Sequence, residues 1–214
     1  MIRNKYQGLF IVIDGLDGSG LSTQANLLTK ALRGGGNDVY MTKEPTNNVI
    51  GGLIRGFLSG VYELRPEAAQ LLFAADRSHH LSREIIPMLE GGNTVVCDRY
   101  AWSTIAFGSI DIDRNWLIEI NRYAILPDVS IFLGVPPKIC IKRIVEDRYD
   151  FELFEKVREL TKVWRTYRWL ARNFKKDVVV VNGVGAVGDV HERIIRALLT
   201  NSKAKRILNK VVTK

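Results

Sequence analysis

Apolar, largely β-branched runs recur along the chain at Leu9–Ile13, Val39–Met41, Thr94–Cys97, Val129–Leu133 and Val178–Val181, and segments of helical periodicity separate each run from the next. Runs this short suit buried strands, and strands that alternate with helices predict a parallel sheet covered on both faces. The expected fold class is therefore α/β, a three-layer arrangement with a five-stranded parallel sheet flanked by helices. Gly34, Gly35, Gly36 and Asn37 end the first helix, and Gly91, Gly92 and Asn93 stop the chain before the third strand. Asp189 with Glu192 reads as a capping box ahead of Ile194, Ile195, Leu198 and Leu199. Phe154, Val157, Thr161, Trp164 and Tyr167 recur at helical spacing and are assigned to packing.

About fifty mostly helical residues lie between the second and third strands, with Pro66 suited to a first helical turn and Pro87 to a kink or break. Ligands of a parallel sheet gather beyond the carboxyl ends of its strands, so this long crossover is a candidate second-substrate site. The segment 202–214, with four lysines and one arginine, reads as a basic tail, solvated or frayed.

The first run leads into a glycine-rich loop and a helix start, LFIVIDGLDGSGLSTQ from Leu9 to Gln24. Gly15, Gly18 and Gly20 permit turns closed to other residues, and a nest of amides running into a helix N-terminus that carries Ser22 and Thr23 offers converging donors to a polyphosphate. The spacing fits the P-loop pattern G-x-x-x-x-G-K-[ST] at Gly15, Gly20 and Ser22, spanning Leu16, Asp17, Gly18 and Ser19, except that Leu21 stands where the pattern has lysine. That lysine reaches the β- and γ-phosphates, while the hydroxyl at Ser22 would hold magnesium. Leucine can do neither, and an ordinary glycine-rich strand-to-helix turn is the plainer alternative.

Composition changes this picture modestly. With 214 residues, 46% hydrophobic and 25% charged, the chain reads as one compact soluble domain. The excess of 31 Lys and Arg over 23 Asp and Glu gives +8, which suits an anionic ligand without implying nucleic acid. Cys97 and Cys140 sit far apart in apolar segments and read as buried reduced thiols, which points to a cytoplasmic setting. No signal-peptide core or membrane span is expected. The histidines at 79, 80 and 191 have no metal-like partners and read as helix-surface residues.

Three further groups carry candidate chemistry. Asp14 ends the first strand and Asp17 lies in the loop, and carboxylates beside phosphates suit magnesium, a sugar hydroxyl or a neighbouring arginine, or else simply cap the helix. Function is favoured for Asp17 over Asp14. The third strand ends in Cys97-Asp98-Arg99-Tyr100, an acid for metal and a base for phosphate, or a structural ion pair. Phe73 and Arg77, four residues apart, share a helix face on which a ring could stack on a nucleobase while the guanidinium donates to its carbonyl; core packing and a surface charge are the alternatives.

The ordered set Leu71-Leu72-Phe73-Ala74-Ala75-Asp76-Arg77, Cys97-Asp98-Arg99-Tyr100, Pro127-Asp128 and Val135-Pro136-Pro137 resembles the thymidylate kinases, over roughly residues 8 to 200. The resemblance implies a P-loop kinase domain over 1–201 that phosphorylates dTMP to dTDP with Mg2+ and ATP in dTTP synthesis. It implies a dTMP-binding crossover at about 43–92 and a short lid at about 142–152. It places Phe73 against thymine, Arg77 on a thymine oxygen, Arg99 on the dTMP phosphate, Asp98 with Ser22 at magnesium, and Asp17 in the sugar network. Ser103 and Thr104 approach the nucleotide, Phe107 crowds a ribose 2′-hydroxyl, and Lys43 and Pro45 flank dTMP, with Lys43 where arginine is common. Asn182 lies beside the adenine of ATP. The lid segment Lys138–Asp150 brings Lys142, Arg143 and Arg148, of which Arg143 and Arg148 would neutralise the transferring phosphate, or form a solvated face with Arg143 paired to Asp147; Cys140, Ile141, Ile144 and Val145 read as core-facing. A homodimer is implied by the family alone. A nucleotide-binding paralogue impaired by Leu21, or a kinase for another nucleoside monophosphate, are the alternatives.

Overall fold

The structure is a computed structural model that describes residues 1–144 and 151–212, with side chains described over 1–144 and 157–207. Its central feature is a parallel sheet of five strands, β2 (Phe10–Gly15), β3 (Val39–Lys43), β4 (Thr94–Asp98), β6 (Val129–Gly134) and β7 (Val178–Asn182), in the order β3-β4-β2-β6-β7. All five expected strands form, and each extends by one or two residues at the carboxyl end, which is where Asp98, Lys43 and Asn182 stand. Strand β2 is buried along its whole length and lies centrally, so its side chains alternate between two cores. Leu9, Ile11 and Ile13 face a cluster shared with α1 (Leu21–Gly34) and α9 (Val187–Leu198), whereas Phe10 and Val12 face Val95, Cys97 and Tyr100. Register sets Ile13 opposite Asp98 and Lys43 opposite Asp98, so the ends of β2, β3 and β4 form one rim.

The crossover from β3 to β4 consists of α2 (Val49–Leu58), α3 (Pro66–His80) and α4 (Ile86–Glu90). Pro66 occupies the first turn of α3 as expected. Leu81–Ile85 form a wide π-type turn just before Pro87, whose ring lacks the amide that an uninterrupted helix would need. The chain continues through α5 (Ala101–Gly108), α6 (Arg114–Ile120), α7 (Pro137–Ile144) and α8 (Phe151–Asn173). Val157 and Trp164 pack against the cluster formed by Trp102, Phe132 and Tyr167, in line with the packing assignment; the side chain of Phe154 lies outside the described ones. Both cysteines are buried free thiols.

Three details differ from the sequence reading. A small parallel pair, β1 (Ile2–Arg3) with β5 (Ile125–Leu126), joins the N-terminus to the middle of the chain; two-residue strands carry too little pattern to be read. Residues 202–212 of the basic tail are helical, not frayed: α10 (Ser202–Val212) docks with Ala204 fully buried and Ile207 against the main cluster. Lys203 Nζ donates to Asp128 at 3.1 Å, and Asp128 also accepts from the Phe10 amide at 2.8 Å, so one carboxylate ties α10 to the start of β2. Helix α9 starts after Ala186 with no side-chain cap, so Asp189 and Glu192 do not form a capping box; Asp189 lies in the first turn, where its charge meets the helix dipole.

Candidate functional site

Beyond β2 the chain turns through Gly18 at φ 74° and Gly20 at φ 97° into α1. At Gly18 a β-carbon would stand 2.5 Å from the carbonyl oxygen of Cys140, so glycine serves both the left-handed turn and the close approach of α7. Ser19 Oγ donates to the Leu16 carbonyl at 2.6 Å and pins the loop, leaving the amides of Asp17, Gly18 and Gly20 without a protein acceptor among the described residues. Leu16 is fully buried beneath the loop, and Thr23 is exposed on the first turn of α1. Leu21 is 5% exposed and packs with Ile13, Ala25 and Leu28, so its side chain joins the core. Residue 21 brings no charge to the loop.

Ser22 Oγ donates to Asp98 Oδ2 at 2.5 Å, while Asp98 Oδ1 is buried with no partner among the described residues. An orphaned carboxylate oxygen beside a hydroxyl at the loop mouth fits a hard divalent cation. No cluster of three or more His, Cys, Asp or Glu able to hold a metal occurs among the described residues, so such a cation would take its remaining oxygens from phosphates and water. Lys43 lines the same polar crevice of about 560 Å³ with Ser22 and Asp98, together with Tyr40, Thr42, Asn48 and Glu84.

On the other side of Arg99 lies a cavity of about 150 Å³. Phe73 and Arg77 enter it from α3, Arg99 from the end of β4, Ser103, Thr104 and Phe107 from α5, and Asp17 and Pro45 from the loops. All the residues named from sequence for a nucleotide acceptor meet here except Lys43, which opens into the crevice instead. Glu44, from the segment expected to flank dTMP, also lines it; Leu58, Gln70 and Tyr100 complete the lining and were not named for it, although Gln70 lies seven residues before Arg77 and hence on the same helix face.

Two arginines dominate the cavity electrostatically. Arg77 is 2% exposed, not the surface charge its sequence alternative allowed. Its Nη2 donates to Glu44 at 2.7 Å and to Thr104 Oγ1 at 2.9 Å, and its Nη1 donates to Asn121. Its Nε is buried without an acceptor among the described residues, a donor left over for a ligand carbonyl. Arg99 holds a left-handed backbone at φ 67°, a conformation that costs a side-chain-bearing residue on the order of 1 kcal/mol and turns the guanidinium back over the loop. From there Nη2 donates to Asp17 Oδ1 at 2.5 Å and Nη1 to the Gly15 carbonyl at 3.0 Å, with Phe107 beneath the guanidinium at 5.5 Å. Burial pulls the Arg99 pKa down, but Tyr167 and the carboxylates of Asp17, Asp14 and Asp98 outweigh it and keep the guanidinium firmly charged.

Asp14 is the buried anchor behind this pair. It accepts from Ser103 Oγ at 2.5 Å, Tyr167 Oη at 2.7 Å and the Gly15 amide at 3.1 Å. Burial raises its pKa, opposed by Arg99 and these hydrogen bonds. Tyr167, read only as packing, therefore also sets the carboxylate that faces Arg99. Arg143 Nη1 donates to the Ser19 carbonyl at 3.2 Å and Nη2 to the Gly183 carbonyl at 3.4 Å, joining the glycine loop to the turn after β7. Asn182 ends β7 there, its Oδ1 accepting from the Val184 amide at 3.0 Å. Cys140 and Ile141 face the core as expected, but Ile144 is exposed. Arg148, Asp147, Val145 and most of the 142–152 lid segment lie outside the described residues.

A parallel sheet with a glycine loop after its central strand, a hydroxyl–carboxylate pair at the loop mouth and an arginine-lined cavity alongside defines a P-loop phosphotransferase. A profile of the thymidylate kinase family matches residues 13–194. The chain is 41% identical over 209 residues to a probable thymidylate kinase of Thermococcus onnurineus, covering 92% of this chain and all of that protein. It is 40% identical to a probable thymidylate kinase of Pyrococcus horikoshii (88% of this chain, 95% of that protein), and 33% identical to the thymidylate kinase of Plasmodium falciparum, with 92% of each covered. The chain belongs to the thymidylate kinase family, a family of phosphotransferases. No helix among the described residues is long and apolar enough to cross a membrane.

Proposed function

We propose that the protein transfers the γ-phosphoryl group of ATP to dTMP, giving dTDP and ADP, with magnesium at Ser22 and Asp98. The observation that carries this reading is the meeting of Phe73, Arg77, Arg99 and Phe107 around one cavity beside the phosphate loop. A flat ring and a donor with a free N–H suit a carbonyl-bearing pyrimidine, and Arg99, turned back over the loop, suits a phosphate that must face the one being transferred.

The acceptor oxygen of dTMP is already ionised at neutral pH, so no general base is needed. It attacks the γ-phosphorus in line; the bond to the bridging β-phosphate oxygen breaks, and its electrons leave with ADP. Arg99 holds the acceptor phosphate and the free amides of Asp17, Gly18 and Gly20 hold the donor phosphates, so catalysis rests on positioning and fixed charge. Magnesium, when bound, supplies positive charge to the donor oxygens. Asp17 orients Arg99 and faces the sugar, and Arg143 steadies the loop against the turn at Asn182. Val49 and Leu53, one turn apart on α2, and Leu71 on α3 are exposed apolar side chains, which supports a second copy of the chain covering them.

The deciding measurement is dTMP-dependent ADP formation from Mg-ATP by the purified protein, with dUMP, AMP and CMP beside it. Preference for dTMP is expected; equal rates on all four would move the assignment to a general nucleotide kinase. Phe73→Ala is expected to raise the KM for dTMP by the equivalent of about 1–3 kcal/mol of lost base stacking while leaving the KM for ATP within about twofold. Equal weakening of both substrates would make Phe73 a packing residue.

A further inference from the structure

His80 ends α3 and was read from sequence as a surface residue, yet it is fully buried. Its Nδ1 lies 3.2 Å from Glu44 Oε1, and the other oxygen of Glu44 accepts from Arg77 at 2.7 Å. Its Nε2 meets Thr42 Oγ1 at 2.7 Å, with Glu84 Oε2 at 3.5 Å. Glu84 in turn accepts from Tyr40 Oη at 2.7 Å and from Asn48 Nδ2 at 3.0 Å. Glu44 and Arg77 line the small cavity, whereas Thr42, Glu84, Tyr40 and Asn48 line the polar crevice that holds Ser22 and Asp98. The imidazole is thus the partition between the two, bonded on both sides.

We propose that His80 is a positioning residue of the acceptor pocket, fixing the base-reading guanidinium of Arg77 through Glu44 from an anchorage on the crevice wall. The proposal rests on the reading of that cavity as the dTMP site. A carboxylate facing a guanidinium can only accept, so His80 Nδ1 carries the hydrogen of the Glu44 contact. That contact decides which way the carboxylate is turned. With Nδ1 holding Oε1, Oε2 is presented to Arg77 Nη2, and the guanidinium plane is fixed with Nε uncommitted. Without it, Oε1 is a buried acceptor lacking a donor, and Glu44 is free to turn both oxygens onto Arg77, consuming the donors that read the base. Among the described residues the polar partners of His80 are Thr42, Glu44 and Glu84, with neither Phe73 nor Arg99 among them, so stacking and phosphate binding do not depend on its hydrogen bonds.

Three variants separate this from a merely structural role. In His80→Asn the carboxamide nitrogen stands where Nδ1 stood, keeping the donor to Glu44 and losing the Thr42 contact. In His80→Gln the amide reaches the Nε2 side and the Glu44 donor is lost; His80→Leu loses both. Calorimetric binding of dTMP, read beside the KM for dTMP and for ATP, is expected to weaken about tenfold for dTMP in the Leu and Gln variants, to stay within about threefold of the parent in the Asn variant, and to leave ATP unchanged. Should the Leu variant fail to fold, the Gln variant carries the same comparison. Equal dTMP binding by Asn and Gln variants, or parallel weakening of dTMP and ATP, would overturn the proposal. Because binding is read without turnover, a parent protein that binds dTMP but does not phosphorylate it would sink the catalytic reading alone, whereas a parent that does not bind dTMP sinks both.

Discussion

Arg99→Ala is expected to lower kcat/KM for dTMP by about a hundred- to a thousandfold, the usual consequence of removing a donor aimed at charge in a phosphoryl or acyl transition state. The size follows from what this one side chain does. Its guanidinium reaches the loop carbonyl of Gly15, the Asp17 carboxylate and Ser103 at once, over the ring of Phe107, so it is held in place before any substrate arrives. A charge fixed in advance needs no reorganisation as the phosphate moves, and that is where its advantage over a mobile surface cation lies. Steady-state kinetics check the split. Both the KM for dTMP and kcat should move if, as proposed, Arg99 touches the dTMP phosphate in the bound state and holds it more tightly during transfer. A variant with unchanged kcat would leave Arg99 a ground-state clamp, and one with both values unchanged would remove it from the site. Removing the side chain also frees Asp17 and leaves the buried Asp14 without its nearest cation, so a fall in thermal midpoint is expected alongside.

How far the sequence foretold this site depends on how local each cause is. The glycine loop, the strand ends and the α3 face were legible because strand period, helix period and turn chemistry are written in neighbouring residues. Phe73 and Arg77 share a face by spacing alone, and Asp98 and Arg99 follow a strand end. What could not be read are pairings set by the packing of distant segments. Glu44 lies next to Pro45 in the chain, but its value comes from Arg77 and His80, more than thirty residues away in each case. His80 looks like a polar helix-end residue until the crossover folds onto β3 and buries it. Tyr167 belongs to an aromatic stripe by period, and nothing local reveals that its hydroxyl ends on Asp14. The docked α10 was missed for a related reason: a lysine-rich composition spoke louder than a short apolar stripe, although Asp128 supplied the partner that Lys203 needed. Lys43 was assigned because its segment resembles the family's loop beside dTMP, yet in a strand successive side chains diverge, and here Lys43 lines the crevice while Glu44 and Pro45 line the cavity.

Leu21→Lys is expected to raise kcat by about a hundredfold with little change in the KM for dTMP, since it restores one cation to the donor phosphates and touches nothing in the acceptor cavity. The native leucine is a stability-favouring choice. It is 5% exposed, packs with Ile13 and Leu28, and its Cδ2 runs over Gly15, 3.4 Å from where a β-carbon would stand. A lysine stem can follow that apolar course and release its ammonium at the loop mouth, so the substitution is expected to lower stability by only about 1 kcal/mol. The comparison of parent and variant also separates the remaining readings of the chain. Turnover by both, with the variant faster, describes a kinase in which loop amides, Arg99 and Arg143 carry the donor charge without the usual lysine. Turnover by the variant alone describes an intact site silenced at one position. If both turn over at the same rate, the donor phosphates do not need a cation at residue 21, and the burden passes to Arg143, whose guanidinium already touches the loop at Ser19. If neither turns over while dTMP still binds, Phe73 and Arg77 serve recognition, and the chain is a nucleotide sensor built on a kinase frame.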